Sequence, residues 1–299
     1  VFARASAARK FAAAFRRAFA IVPVMVDRIT RDVTARGIRM RVVEAGSGPP
    51  VVLIHDFLVN HLEFENVLPP LAARYRVLAP DLPGFGESEK PSPARYAYGI
   101  ESFAEALVDM IAGLELGRVS LVGHSLGGAA AITLAAEHPE LVERLVLVDA
   151  MSYPFLLDFR SRLPLLPFLG GFIFKQMYGR GGFRRHFRDN VFSPGFPLPL
   201  DKIDHYYDQF NTPAARESAH AVLQASRDTR PVVARIPRIT APTLVVWGRS
   251  DRMFPASFGQ RLAREIAGAR FDVLDAGHSP NEECPDAFVH AVSRFLPRP

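Results

Sequence analysis

The sequence predicts an α/β fold: a mostly parallel central sheet with helices on both faces and a helical cap inserted after the sixth strand. Three observations carry this. Short apolar runs of strand length recur through residues 28–150 and 238–299, helical stretches separate most of them, and the alternation stops between about Met151 and Pro237. Strands that alternate with helices imply the crossover connections of a parallel sheet, which is buried on both faces. At 299 residues, 48% of them hydrophobic, the chain is long enough to bury such a core.

The elements follow in order. Residues 1–22 read as an alanine-rich amphipathic helix: Phe11, Phe15 and Phe19 recur every four residues, with Arg9, Lys10, Arg16 and Arg17 on the other side. Such a helix either packs on the body of the protein or lies on an anionic membrane surface, and the pattern leaves both open. It does not span a membrane, because Arg16 and Arg17 interrupt the apolar run and Pro23 follows closely. Arg16-Arg17-Ala18-Phe19 has no small-residue cleavage site after it, so export is not expected. The expected location is the cytoplasm, with or without peripheral membrane contact through residues 1–22. Residues 1–27 are thus set apart from the body.

From residue 28, Ile29–Ala35 and Ile38–Glu44 flank Arg36-Gly37 as a hairpin. Buried-strand runs follow at Val51–His55, Arg76–Ala79, Val119–Val122, Leu145–Val148, Thr243–Val246 and Phe271–Leu274, with helices at Glu101–Leu114 and Ala129–Glu137 among the connections. Residues 151–237, rich in Phe, Leu, Pro and Arg, form the expected cap.

The net charge of +5 could suggest nucleic acid, but its placement argues otherwise. Residues 1–45 hold nine Arg and one Lys against Asp27, Asp32 and Glu44, a local net of +7 that leaves −2 for the rest. No nucleic-acid partner is expected. The single cysteine, Cys284, can form no internal disulfide and reads as an inert thiol. No cluster has metal-ligand spacing, so neither a metal nor a cofactor is expected.

The strongest local signal is Gly123-His124-Ser125-Leu126-Gly127, which follows a strand run and opens an Ala-rich helix. A strand–turn–helix of this kind exposes a serine hydroxyl at the carboxyl end of the sheet, with a helix N-terminus beneath it to favour developing negative charge. The glycines are needed because side chains two positions either side of Ser125 would strike the neighbouring strand and helix. A serine hydroxyl needs an adjacent base, and that base needs a carboxylate to fix its tautomer. His278 and Asp251 both lie just past strand runs, hence at the same sheet edge, in the order Ser…Asp…His. Asp149, ending the sixth strand, is a second candidate for the acid.

With these segments in hand, residues 28–298 resemble the α/β-hydrolase superfamily, specifically its capped esterase, lipase and C–C hydrolase-like members. Beside the elbow, the resemblance rests on His55-Asp56-Phe57, Asp81-Leu82-Pro83-Gly84-Phe85-Gly86-Glu87-Ser88, Trp247-Gly248-Arg249-Ser250-Asp251, and Gly277-His278-Ser279-Pro280 with Glu283 and Pro285. It implies an oxyanion hole built from the backbone N–H groups of Leu126 and Phe57. One departure stands out: the family usually carries glycine where this chain has Asp56. An aspartate turned to solvent there would cost little, whereas one turned inward would repel the oxyanion.

The expected activity is hydrolysis of carboxylic esters through an acyl-enzyme on Ser125. A C–C bond hydrolase, a thioesterase or a perhydrolase on the same residues is the alternative, and a ligand-binding protein with weak catalysis is the alternative of another class. Ser125 argues against haloalkane dehalogenase and epoxide hydrolase chemistry, which uses aspartate at the elbow. The apolar run Leu163–Leu169 and Phe172-Ile173-Phe174 suits an apolar or lipid-like small-molecule ester. His124, Phe155, Phe168 and Phe172 are expected to line the substrate site.

Overall fold

The computed structural model describes residues 26–154 and 170–298. The expected helix over residues 1–22, and Phe155 and Phe168, lie outside the described residues.

Eight strands form one sheet: β1 (Arg28–Ala35), β2 (Ile38–Ala45), β3 (Pro50–Ile54), β4 (Arg76–Pro80), β5 (Val119–His124), β6 (Val142–Val148), β7 (Thr243–Gly248) and β8 (Arg270–Leu274). Their spatial order is β1-β2-β4-β3-β5-β6-β7-β8. The pairs β1–β2 and β2–β4 are antiparallel and all others are parallel. The hairpin turn works as the sequence implies, with Arg36 and Gly37 both at positive φ (54° and 70°), the pairing a two-residue turn of this twist requires.

Period-two alternation divides the core. Leu121, Leu145, Leu147 and Val245 point to one face, where α2 (Ile100–Gly113) and α3 (Leu126–Glu137) pack. Val122, Val146, Val148 and Val246 point to the other, covered by α1 (Leu68–Ala72) and the C-terminal helix over Pro285–Phe295. These strands are apolar at nearly every position because neither face meets water.

Between β6 and β7 lie helices only among the described residues, including α4 (Gly170–Met177), α5 (Arg180–His186), α6 (Leu200–Phe210) and α7 (Pro213–Ala225). They share a third apolar cluster, in which Phe174, Phe183, Phe187, Tyr206 and Phe210 gather over Leu58 and Val59 from the loop after β3. The connections after β3, β4, β5, β6, β7 and β8 therefore all open on one edge of the sheet beneath this helical insert.

Candidate active site

Ser125 sits on the sharp turn between β5 and α3 with φ 49° and ψ −110°, a conformation costing about 1–3 kcal/mol that the surrounding packing must enforce. Its N–H donates to Val148 O at 2.9 Å, and its carbonyl accepts from Ala129 at 3.1 Å and Met151 at 3.0 Å. The flanking glycines allow the turn: a Cβ on Gly127 would lie 2.2 Å from Ile54 O, and one on Gly123 would lie 2.5 Å from Gly127 O.

Asp251 follows β7 and His278 follows β8, and the structure brings them together. His278 Nδ1 donates to Asp251 Oδ2 at 2.9 Å, with both side chains fully buried. Asp251 Oδ1 accepts the N–H groups of Met253 (2.7 Å) and Phe254 (3.0 Å). Burial alone would raise the Asp251 carboxyl; the His278 charge and these bonds outweigh it and keep it ionised. Asp149 does not contact the histidine ring as the primary acid. It is buried beside Asp251, accepting Gly248 N–H at 2.9 Å.

The helical insert holds the histidine loop in place. His278 N–H donates to Val191 O at 2.7 Å, while Glu283 accepts Gly277 N–H (2.7 Å) and Ser193 N–H (2.9 Å). Lys202 of α6 bridges Glu65 and Glu282, both at 2.7 Å.

Two expected substrate contacts are corrected. His124 is fully buried beneath the site rather than open to it. Its Nδ1 faces Glu63 Oε1 in a short contact and its Nε2 faces His278 O at 2.6 Å. Facing a carboxyl oxygen and a carbonyl, both ring nitrogens are placed to donate, an arrangement that favours the imidazolium. Burial, the largest single effect, would lower its pKa, but the charge and hydrogen bond of Glu63, with the Asp56 charge, together more than reverse this. Phe172 is 60% exposed on α4, whereas Phe174 turns into the insert core. Residues two apart on a helix face nearly opposite ways, so only one of the pair can be inside.

Three residues belong to the site without having been singled out. Glu63 joins the loops around it: Oε2 accepts Asp56 N–H at 3.1 Å, Oε1 holds His124, and its carbonyl accepts Asn281 Nδ2 at 3.2 Å. Asn281 ties the histidine loop to that point. From the insert, the half-buried His186 lies close enough to feel the Asp56 and His278 charges, and desolvation takes its pKa down to about 4.

Asp56 turns inward. Its Oδ1 accepts Leu126 N–H at 3.2 Å, and its Oδ2 lies 3.5 Å from His278 Nε2, an atom with no hydrogen-bond partner. Burial would raise its carboxyl, yet His278 and His124 hold it well below the usual carboxylate range. His278 is raised in return: burial lowers it, and Asp251 and Asp56 together more than reverse this. Asp251 and Asp56 thus flank the His278 ring, one carboxylate toward each nitrogen, and both favour its charged form.

Phe57, the other expected oxyanion donor, is half-buried, with its ring edge-on to Phe85 at 5.9 Å. His55 anchors this loop, donating from Nδ1 to Asp56 O (2.6 Å) and accepting Leu82 N–H at Nε2 (2.9 Å).

Two groups, Asp56/His124/His278 and Asp149/Asp251/His278, bring three donor atoms within 4.8 Å of one another. Both ring nitrogens of His124 and the Nδ1 of His278 are committed elsewhere, so a metal would have to break these bonds. A separate cavity of about 10 Å³, lined by Leu58, Val59, Phe85, Tyr206, Gln209 and Phe210, has room for about one water and does not include Ser125. The Cys284 thiol donates to Pro280 O and burial pushes it up to about 12, which leaves it unreactive.

Residues 49–285 match the alpha/beta hydrolase fold family. The chain belongs to that family. It is 31% identical over 284 residues to the 2-hydroxymuconate semialdehyde hydrolase of Pseudomonas sp. (strain CF600), covering 92% of this chain and 96% of that one. Among solved structures, it is similar to a serine hydrolase involved in carbazole degradation (28% identity, TM-score 0.77, 90% of this chain and 99% of that one). It is also similar to a membrane phospholipase A described as a bacterial virulence factor (27% identity, TM-score 0.74, 90% and 86%). This alpha/beta hydrolase has Ser125 on the turn between β5 and α3 and the Asp56 carboxylate against the Leu126 N–H. No helix among its described residues is long and apolar enough to cross a membrane.

Proposed function

We propose that this alpha/beta hydrolase is a serine hydrolase that cleaves carboxylic esters with apolar, lipid-like acyl groups. The observation that carries the reading is the buried Asp251–His278 bond at the sheet edge where the elbow presents Ser125. Ser125 Oγ attacks the ester carbonyl as His278 Nε2 takes its proton. The tetrahedral oxyanion needs the N–H of Leu126, a donor whose removal in comparable sites costs about 3 kcal/mol of barrier. The imidazolium returns the proton to the leaving alcohol, and water, activated by the same ring, releases the acid from Ser125. Asp251 keeps the proton on Nδ1 throughout, so Nε2 stays aimed at the reaction.

The apolar preference has two supports. Phe57 and Met253, in the loops that follow β3 and β7, pack with Leu58 and Phe85 in the apolar clusters beside Asp56 and Asp251, and one solved relative is a phospholipase. Hydrolysis of a chromogenic ester series from acetyl to long acyl chains, by the wild type and Ser125→Ala, tests the reading. Turnover that the substitution abolishes is expected; no turnover on any ester overturns it.

A second reading, hydrolysis of a C–C bond beside a carbonyl, is favoured by the semialdehyde hydrolase relative. Ser125-dependent loss of 2-hydroxymuconate semialdehyde with no ester turnover would select it.

A further inference from the structure

Position 56 fills the place where the reaction builds negative charge. One carboxylate oxygen sits on Leu126 N–H and the other faces His278 Nε2. This is how the acid product of the reaction would sit: one oxygen on the oxyanion donor, one toward the imidazole. We propose that Asp56 is a built-in mimic of the product carboxylate, a competitor that holds the oxyanion position at rest and must leave it before a substrate carbonyl binds. The proposal rests on the serine-hydrolase reading above.

The surroundings suit a side chain that moves on a fixed backbone. Asp56 N–H is tied to Glu63 Oε2 at 3.1 Å and its carbonyl to His55 Nδ1 at 2.6 Å. The peptide groups on both sides are thereby pinned, and only χ rotation is left to clear the site. The bond that must break, 3.2 Å to Leu126, is the longest of the three and lies beyond the usual optimum. What keeps the carboxylate in is the Leu126 N–H and the His278 ring 3.5 Å away, with the charged forms of His278 and His124 both attracting it.

Two consequences follow for the reaction. Entry is selective: an anionic group next to the scissile carbonyl meets Asp56 and is turned away, while an uncharged ester can displace it. Exit is assisted: once the acid product forms, the returning Asp56 carboxylate takes its two contacts and expels it. The wild type should therefore be poorly inhibited by its own acid product.

The test compares wild type with Asp56→Gly and Asp56→Ala, each checked for folding by thermal melting. The three readouts are kcat/KM on p-nitrophenyl butyrate, inhibition by butyrate, and binding of butylboronic acid, which forms a tetrahedral adduct on a reactive serine. Freeing one oxyanion donor should tighten boronic acid binding and raise kcat/KM by about ten- to a hundred-fold, and should make butyrate an effective inhibitor. Folded variants that bind the boronic acid no more tightly than wild type, or that lose the turnover wild type has, overturn the proposal while the serine-hydrolase reading stands. Tighter boronic acid binding without ester turnover in any of the three proteins supports the competitor role and overturns the ester reading. Neither binding nor turnover in all three overturns both.

Discussion

Asp149 stands beside Asp251, with a carboxylate oxygen of each within 4.8 Å of the other and of the His278 ring. Asp149 Oδ2 receives no donor from the protein, and burial together with the Asp251 charge raises its carboxyl well above the ordinary value. Two adjacent buried carboxylates do not both ionise, so Asp149 keeps the proton and donates it, and Asp251 keeps the charge that His278 needs.

This fixes a sign for stability. The folded chain holds a proton on Asp149 that the unfolded chain releases above pH 3.8. Stability from this group is complete below that pH and drains as pH rises toward the folded value, at up to about 1.4 kcal/mol per pH unit. Asp149→Asn supplies an N–H donor in the same place with no proton to lose. The melting temperature of the variant should gain on wild type as pH rises above 4; a constant difference would contradict a proton held on Asp149.

The Glu63–His124 pair invites a second measurement. Both side chains are buried, at 1% and 0% exposure, and Glu63 is the carboxyl group that faces the ring and favours its charged form. Glu63→Ala strands a buried cation and should cost about 3–5 kcal/mol in urea unfolding. A loss under about 1 kcal/mol would mean that the ring is neutral and that a carbonyl faces an unprotonated nitrogen.

Catalysis should depend on pH through His278. Its pKa is raised because Asp251 and Asp56 both favour the imidazolium, and only the neutral ring can accept the Ser125 proton. The kcat/KM profile should therefore climb through neutral pH, with its acid limb above the ordinary histidine range. Asp56→Asn removes one of the two anions, so the limb should move to lower pH. A limb that stays in place would show that Asp56 does not act on the base.

The elbow glycines make a steric prediction. A Cβ at position 127 would sit 2.2 Å from a backbone oxygen of β3, which cannot give way as a flexible side chain can. Gly127→Ala should destabilise the fold by about 3 kcal/mol, the upper range for overpacking a core, and lower ester turnover. Wild-type thermal stability would show that the turn is looser than its geometry implies.

These cases divide what the sequence could reveal from what it could not. Strands β3 to β7 announce themselves as apolar runs because both faces are buried, β8 is a partly exposed edge strand, and the observed ends of all six fall within three residues of the runs. Gly123 and Gly127 bracket Ser125 because close backbone approach leaves a local signature. Asp251 and His278 are readable because each directly follows a strand. The inward turn of Asp56 is not readable: it is a choice of rotamer, decided by an N–H at position 126 and a ring at position 278. Glu63 is hidden for the same reason, since its partner His124 lies 61 residues along the chain. Side-chain pairing over such distances adds nothing to local periodicity. The two aromatic residues Phe172 and Phe174 look alike in sequence, and only the rotation of α4 separates the exposed one from the buried one.

The central claim is that Ser125 carries the acyl group. The most direct measurement is mass spectrometry of the protein quenched in acid during turnover of p-nitrophenyl butyrate, followed by peptide mapping. The account predicts one butyryl adduct, on the peptide that contains Ser125, and none with Ser125→Ala. Steady turnover with Ser125 unmodified, or with the adduct on another residue, would contradict it.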